Sequence, residues 1–222
     1  MAISVTSNQN TTTQASGGSI VVTLNSTQLT SGSILIAVIS WSNTTNTYSV
    51  SDPTNGTWGG PFVRSIQGSN SECMLYTVTN SSSAGSLTVT ANITSGSAGS
   101  MTVFEVTGIT NSIDQSATKQ NTAATTWTCG PTGTTTSSSE LCIFVCRVTS
   151  ATETWSSFSP YTIIDSTHLS SFTHFVGYNI LASTGTQSGS VTGGTLSAAS
   201  TLIATFPTTA PPLTSSFIAI LP

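Results

Sequence analysis

The chain reads as all-β, and three observations predict it. Ser and Thr number 40 and 44 among 222 residues. Thr and Val favour extended backbone, while Ser, Asn and Gly are poor helix formers. Short apolar or alternating runs of strand length recur along the chain, separated by the Gly, Asn, Asp and Ser clusters that turns use. Many short strands at even spacing make a β-sandwich or barrel. The expected architecture is two similar antiparallel β-sandwich halves, of jelly-roll or immunoglobulin-like kind, plus a C-terminal strand.

In order, an N-terminal arm covers 1–17 and the first half 18–110. Its strands are expected over 20–24, 34–41, 48–51, 73–79, 86–93 and 101–107. The second half, 111–206, has strands over 116–119, 140–149, 161–166, 173–182, 189–192 and 200–206. Residues 207–222 are a Pro-rich linker carrying a terminal strand. The halves look like one series written twice. Ser31–Trp41 lines up with Ser137–Arg147, Met74–Val78 with Val176–Ile180, and Ser97–Phe104 with Ser197–Ala204, at offsets of 106, 102 and 100 residues. Each half begins with a strand apolar on both faces, which suits a central strand covered on two sides. The Thr/Ser/Gly-rich stretch 121–139 reads as a long ordered loop or irregular edge.

Composition excludes several roles. Charged residues are 5 % of the chain, against a usual level of about 25 %. Three basic residues, Arg64, Lys119 and Arg147, cannot form the clustered footprint that nucleic acid or anionic lipid needs. The longest apolar run, Ile34 to Ile39, is far short of a spanning helix. The start, Met1-Ala-Ile-Ser-Val-Thr6, lacks a basic and an apolar leader region. The composition nonetheless suits an extracellular surface. A protein leaving the cell on a particle such as a virion reconciles the two, and so does a removed leader.

Candidate chemistry is sparse. The carboxylates Asp52, Glu72, Glu105, Asp114, Glu140, Glu153 and Asp165 are scattered singly, and no G-x-S-x-G elbow occurs. His168 and His174 could recruit only Asp165 as a third metal ligand; histidines satisfied at a surface or interface are the simpler reading. Cys73, Cys129, Cys142 and Cys146 form no C-x-x-C pair. They are read as buried free thiols, with a bridge from Cys129 or Cys73 to Cys142 or Cys146 as the alternative. Trp41, Trp58, Trp127 and Trp155 could include a sugar-stacking platform, although plugging the ends of the sandwich is the commoner use. Glu105 is expected to face solvent or cap a loop. No cofactor or metal is implied, and no catalytic residue is nominated.

The turn Asp52-Pro-Thr-Asn-Gly56 combines a fixed φ at Pro53 with the positive φ that Asn55-Gly56 supplies, and Trp58 follows as an end plug. With Asp52, Gly56, Thr57, Trp58, Tyr76, Asn80, Ala84, Gly85, Glu105, Gly108 and Ala204-Thr-Phe206, residues 18–206 resemble a family of tandem β-sandwich modules. These modules occur in bacterial surface proteins and bacteriophage structural proteins. The chain departs from the pattern in having Asn55-Gly56 for Gly-Asn, an inserted Pro53 and a C-terminal extension. The resemblance implies a non-catalytic structural or adhesive module.

The expected role is a bacteriophage decoration, capsid-associated or fibre subunit in the virion. Its partners would be copies of itself, with a trimer the expected form, and other particle subunits. The alternatives are an extracellular filament or surface-layer subunit that donates its C-terminal strand, and a carbohydrate-binding module with a glycan partner. The assembly residues would be Phe217, Ile218, Ala219, Ile220 and Leu221, an apolar strand that needs cover on both faces. Nucleic acid and membrane are not expected partners.

Overall fold

The computed structural model describes residues 2–6, 10–14, 18–24, 29–42, 48–68, 71–83, 85–93, 98–169 and 171–209. Fifteen strands form along them, and the described residues contain no helix. They are β1 (Ser4–Val5), β2 (Asn10–Gln14), β3 (Ser19–Leu24), β4 (Ile34–Trp41), β5 (Tyr48–Asp52), β6 (Gly56–Thr57), β7 (Gly59–Gln67) and β8 (Ser71–Thr79). There follow β9 (Leu87–Ile93), β10 (Gly99–Thr107), β11 (Ser116–Cys129), β12 (Glu140–Val148), β13 (Thr162–Asp165), β14 (Thr173–Ile180) and β15 (Gly189–Pro207).

Every pairing between these strands is antiparallel, in three sheets. The outer sheet runs β3-β9-β5-β6. The central sheet runs β1-β10-β4-β8-β7, with β2 also on β10. The distal sheet runs β11-β15-β12-β14-β13. Apolar side chains dictate how they stack. On β4, Leu35, Ala37, Ile39 and Trp41 join Val22, Leu24, Val50, Val89 and Ala91 of the outer sheet in one core. The alternate β4 residues Ile34, Ile36 and Val38 join Leu141, Ile143, Val145, Val176, Leu202 and Phe206 of the distal sheet in a second. The central sheet is thus buried on both faces, and this is why β4 carries no outward polar row.

A third core covers the far face of the distal sheet. There Phe144, Cys146, Phe175 and Ile203 pack with Trp127, Val191 and Tyr161, and Trp155 and Phe158 close over them. Trp127 and Val191 arrive because the antiparallel β11–β15 pair bends over its own sheet. Its register shifts between Asn121 and Thr126. Beyond the bend, Cys129 Sγ donates to the Ala117 carbonyl at 3.4 Å, and Asn121 Nδ2 donates to the Thr128 carbonyl at 3.1 Å. Close packing at the other end needs glycine: a Cβ on Gly99 would lie 2.3 Å from the Trp41 ring.

Strands up to Thr107 build the outer and central sheets, and strands from Ser116 build the distal one. The distal sheet takes its inner cover from the central sheet, so three sheets share two interfaces. Two expectations change. No strand was expected at β7, yet it pairs β8 along the sheet edge, where Pro is tolerated. The runs 189–192 and 200–206 are one strand, β15. The stretch 121–139 begins as an irregular edge, as expected: β11 borders its sheet as far as Cys129, with register shifts between Asn121 and Thr126. The expected terminal strand 217–221 lies outside the described residues.

Candidate functional site

The anticipated turn is built around one carboxylate. Asp52 Oδ1 accepts from the amides of Thr54 and Asn55, both at 2.7 Å. Oδ2 accepts from Asn55 Nδ2 at 3.0 Å and from the Trp58 indole at 2.6 Å. Pro53 occupies the exposed corner, and Gly56 has φ +74°. Asn55 Oδ1 in turn accepts from the Ser81 amide at 2.9 Å. Trp58 is buried in the core between the outer and central sheets. This is a structural knot that holds the β5–β6 turn to the sandwich. Glu105 is buried rather than solvent-facing, and it caps a loop: its Oε1 accepts from the Thr30 amide at 2.6 Å.

The reactive side chains converge where they were not anticipated, between the central and distal sheets. His174 of β14 is fully buried. Its Nδ1 lies 2.5 Å from Ser40 Oγ of β4, and its Nε2 lies 3.2 Å from Thr102 Oγ1 of β10. Thr102 donates its one hydroxyl hydrogen to Asp165 Oδ2 at 2.8 Å. It must therefore accept from Nε2–H, so Nδ1 accepts from the Ser40 hydroxyl. Thr167 Oγ1 donates to the other oxygen, Asp165 Oδ1, at 2.6 Å. Burial, helped by the nearby Arg147 cation and opposed by Asp165, pulls the imidazole down to about 4. The ring is neutral at physiological pH.

Ser, His and Asp in one chain of hydrogen bonds resembles a hydrolase triad, but the geometry is wrong for one. A triad carboxylate orients the imidazole directly, and its serine faces a substrate cleft. Here the carboxylate lies 3.7 Å from Nε2, beyond hydrogen-bond length, with Thr102 bonded to both, and Ser40 and His174 are sealed between two sheets. The same residues do not make the weighed metal site, since His168 is exposed and bonds Thr173 Oγ1 at 3.3 Å, away from the His174 ring. Among the described residues no group of three metal-ligating side chains converges.

One strand step from His174, Arg147 of β12 is paired across the sheet with it and is itself 2 % exposed. Its guanidinium lies over the Phe172 ring, 4.4 Å from the centroid, and Nη2 donates to Ser42 Oγ at 2.9 Å. Its Nε and Nη1 have no partner among the described residues. Burial draws the guanidinium down to about 10, so it stays a cation at neutral pH. Glu72 on β8 is the carboxylate acting on it. Glu72 Oε2 is held by Arg64 at 2.6 and 2.9 Å, and Oε1 has no partner. Burial pushes the Glu72 carboxyl up to about 8 against the pull of Arg147. Beside Arg147 a cavity of about 390 Å³ is lined by Ser42, Arg147, Thr149 and Ser171. A second cavity, of about 350 Å³, lies beside Thr209, the last described residue. Thr30, Ser33, Gly108, Ile109 and Thr209 line it.

The remaining candidates are structural. The four cysteines are buried free thiols. Trp41, Trp58 and Trp127 are buried, and Trp155 packs edge-on against Trp127 and Phe175. The three buried indoles offer no open face for a sugar, and Trp155 is half-buried. The buried cluster left weak signals in the sequence. Ser40 and Arg147 are lone polar residues in otherwise apolar runs, and His174 sits between Thr173 and Phe175, but nothing local says that these positions meet. No family model, no curated protein and no solved structure matches the chain.

Proposed function

We propose that the protein is a non-catalytic structural subunit of a virus particle, a bacteriophage decoration, capsid-associated or fibre component that assembles with copies of itself. The observation that carries this reading is where the charge lies. Of ten acidic and basic side chains, Asp52, Glu72, Glu105, Glu140, Arg147 and Glu153 are buried, Arg64, Asp114 and Asp165 are half-buried, and Lys119 alone is exposed. The surface is left to hydroxyls, amides and backbone. Like-charge repulsion, which keeps most soluble proteins apart, is nearly absent, and such surfaces pack closely on one another. Asp52, Glu105 and Glu153 hold a turn, a loop and a bend, and His174 joins two sheets. The resemblance to tandem β-sandwich modules points the same way.

A second reading, a filament subunit that donates its C-terminal strand, draws on the exit of the chain. Thr208 bridges Ile109, and the Thr209 amide donates to the Gly108 carbonyl at 3.0 Å. Thr209, the last described residue, lies at the rim of the 350 Å³ cavity. Sedimentation velocity on the full chain and on a chain ending at residue 212 tests both readings. The full chain is expected to associate at micromolar concentration. If the shortened chain keeps its melting temperature but stays monomeric, the strand is donated. A full chain that is monomeric throughout and binds no particle refutes the assembly role.

A further inference from the structure

We propose that Asp114 and Glu140 hold one proton between them, a pH-sensitive clip that fastens the 130–139 loop to the distal sheet. The clip is independent of the assembly role.

Asp114, just ahead of β11, and Glu140, the first residue of β12, flank the end of β15 from either side. The Asp114 amide donates to the Thr205 carbonyl at 2.9 Å, and Glu140 is paired with Pro207. Both carboxyls reach the loop through consecutive residues. Asp114 Oδ2 accepts from the Thr136 amide at 2.7 Å, and Oδ1 accepts from the Thr136 hydroxyl at 2.9 Å. Glu140 Oε1 accepts from the Ser137 amide at 2.9 Å. Neighbouring amides thus bring the two carboxyls side by side, within hydrogen-bonding reach of each other.

Their surroundings differ. Asp114 is half-buried and has a donor on each oxygen. Glu140 is fully buried, and its Oε2 has no donor among the described residues. The basic side chains set against carboxylates are Arg64 on Glu72 and His174 on Asp165, so no cation pairs with either member among the described residues. Two carboxylates sharing a site repel, and the one with less water keeps the proton. A proton on Glu140 Oε2 turns that unpartnered acceptor into a donor to Asp114. The repulsion disappears, and the buried atom is satisfied by a charge-assisted bond. Burial raises the Glu140 carboxyl above its ordinary 4.5, against the Ser137 amide and the Thr205 hydroxyl, and Asp114 raises it further. Burial works the other way on Asp114, but the two Thr136 donors, with Glu140 and Gln115, hold it below 3.8. The other titratable group beside Glu140 is Cys142 of its own strand, neutral because burial pushes the thiol up to about 11. Thr205 and Pro207 of β15, and Leu181, whose amide donates to the Glu140 carbonyl at 2.8 Å, bring no charge. The raised Glu140 value gives stability that is lost as pH rises through it. The lowered Asp114 value gives stability that is lost as pH falls through it. The clip is closed between the two.

The test is a carbon NMR titration of the full chain, isotope-labelled at its glutamate carboxyl carbons. Glu72, Glu105, Glu140 and Glu153 give four signals, and Glu140→Gln deletes one and so assigns it. We expect the Glu140 carbon to titrate above 4.5 in the parent. Asp114→Asn, at the half-buried member, should bring that midpoint down, because the neighbouring charge is gone. A Glu140 midpoint at or below 4.5 overturns the clip. So does a midpoint that is the same in Asp114→Asn, which would mean that burial alone holds the proton. If Glu140→Gln does not fold, the signal that moves in Asp114→Asn identifies Glu140, and no glutamate signal moving there overturns the clip as well.

Discussion

Acid should loosen the contact between the central and distal sheets through His174. The imidazole's ordinary value is 6.5, and in the fold it is drawn down to about 4. Between these values the unfolded chain binds a proton that the folded one refuses, so stability falls as pH drops through this window. With those two values the loss relative to pH 8 is about 2 kcal/mol at pH 5 and about 3 kcal/mol at pH 4. The charged and titratable groups around the ring are Asp165, which opposes the effect, and Arg147, which adds to it. Glu72 has the opposite slope. Its carboxyl is raised to about 8 from 4.5, so between those values the folded state takes up the proton first and gains stability as pH falls. The parent protein's profile therefore mixes two terms, and the assay must be a difference. Urea unfolding of the parent and of His174→Gln should be measured at pH 8 and pH 5. Loss of the Ser40 and Thr102 contacts offsets the variant equally at both pH values. The gap between the two proteins should then shrink by about 2 kcal/mol on going to pH 5. A gap that stays the same at both values would refute the argument that the buried ring is neutral and cannot take a proton.

Three further outcomes follow. Asp52→Ala strips four hydrogen bonds and leaves the buried Trp58 indole unsatisfied. It should cost about 2–4 kcal/mol in urea unfolding, and a loss under 1 kcal/mol would show that the turn holds without its carboxylate. Gly99→Val places a branched side chain where even a Cβ meets the Trp41 ring at 2.3 Å. It should lower stability by about 1–3 kcal/mol or more, and an unchanged melting temperature would mean that Trp41 can move aside. At pH 8 the native protein should titrate no thiols with a disulfide reagent, and four after denaturation. All four cysteines are buried, and burial pushes Cys142 up to about 11 and Cys73 higher still. Fast reaction of two or more thiols would contradict their burial.

Strand identity was written locally. The run Ile34–Trp41 and its counterpart Leu141–Val148 are apolar on both faces of the pleat apart from Ser40 and Arg147, and both became strands central to their sheets, covered on two faces. The turn at Asp52-Pro-Thr-Asn-Gly56 was equally legible, because Asx, Pro and Gly chemistry acts over three or four residues. The same local logic failed at β7, where Gly59-Gly60-Pro61 disguises an edge strand. It failed again at β15, where Gly193-Gly194 looks like a break. There the buried Glu153 accepts from the Gly194 and Thr195 amides at 2.8 and 3.1 Å and holds a bend from 41 residues away.

Pairing between distant strands left no such trace. Residue types and apolar periodicity, which act over a few positions, settled that the chain is all-β, that its core strands are sandwiched and that its surface is poor in charge. The stacking of three sheets depended on which apolar faces found each other. Ser40 meets His174 across 134 residues of chain, and Ser42 meets Arg147 across 105. A period of two tells which face a side chain takes, not which sheet lies opposite. The buried imidazole and the half-paired guanidinium therefore exist only once the central and distal sheets have closed on each other.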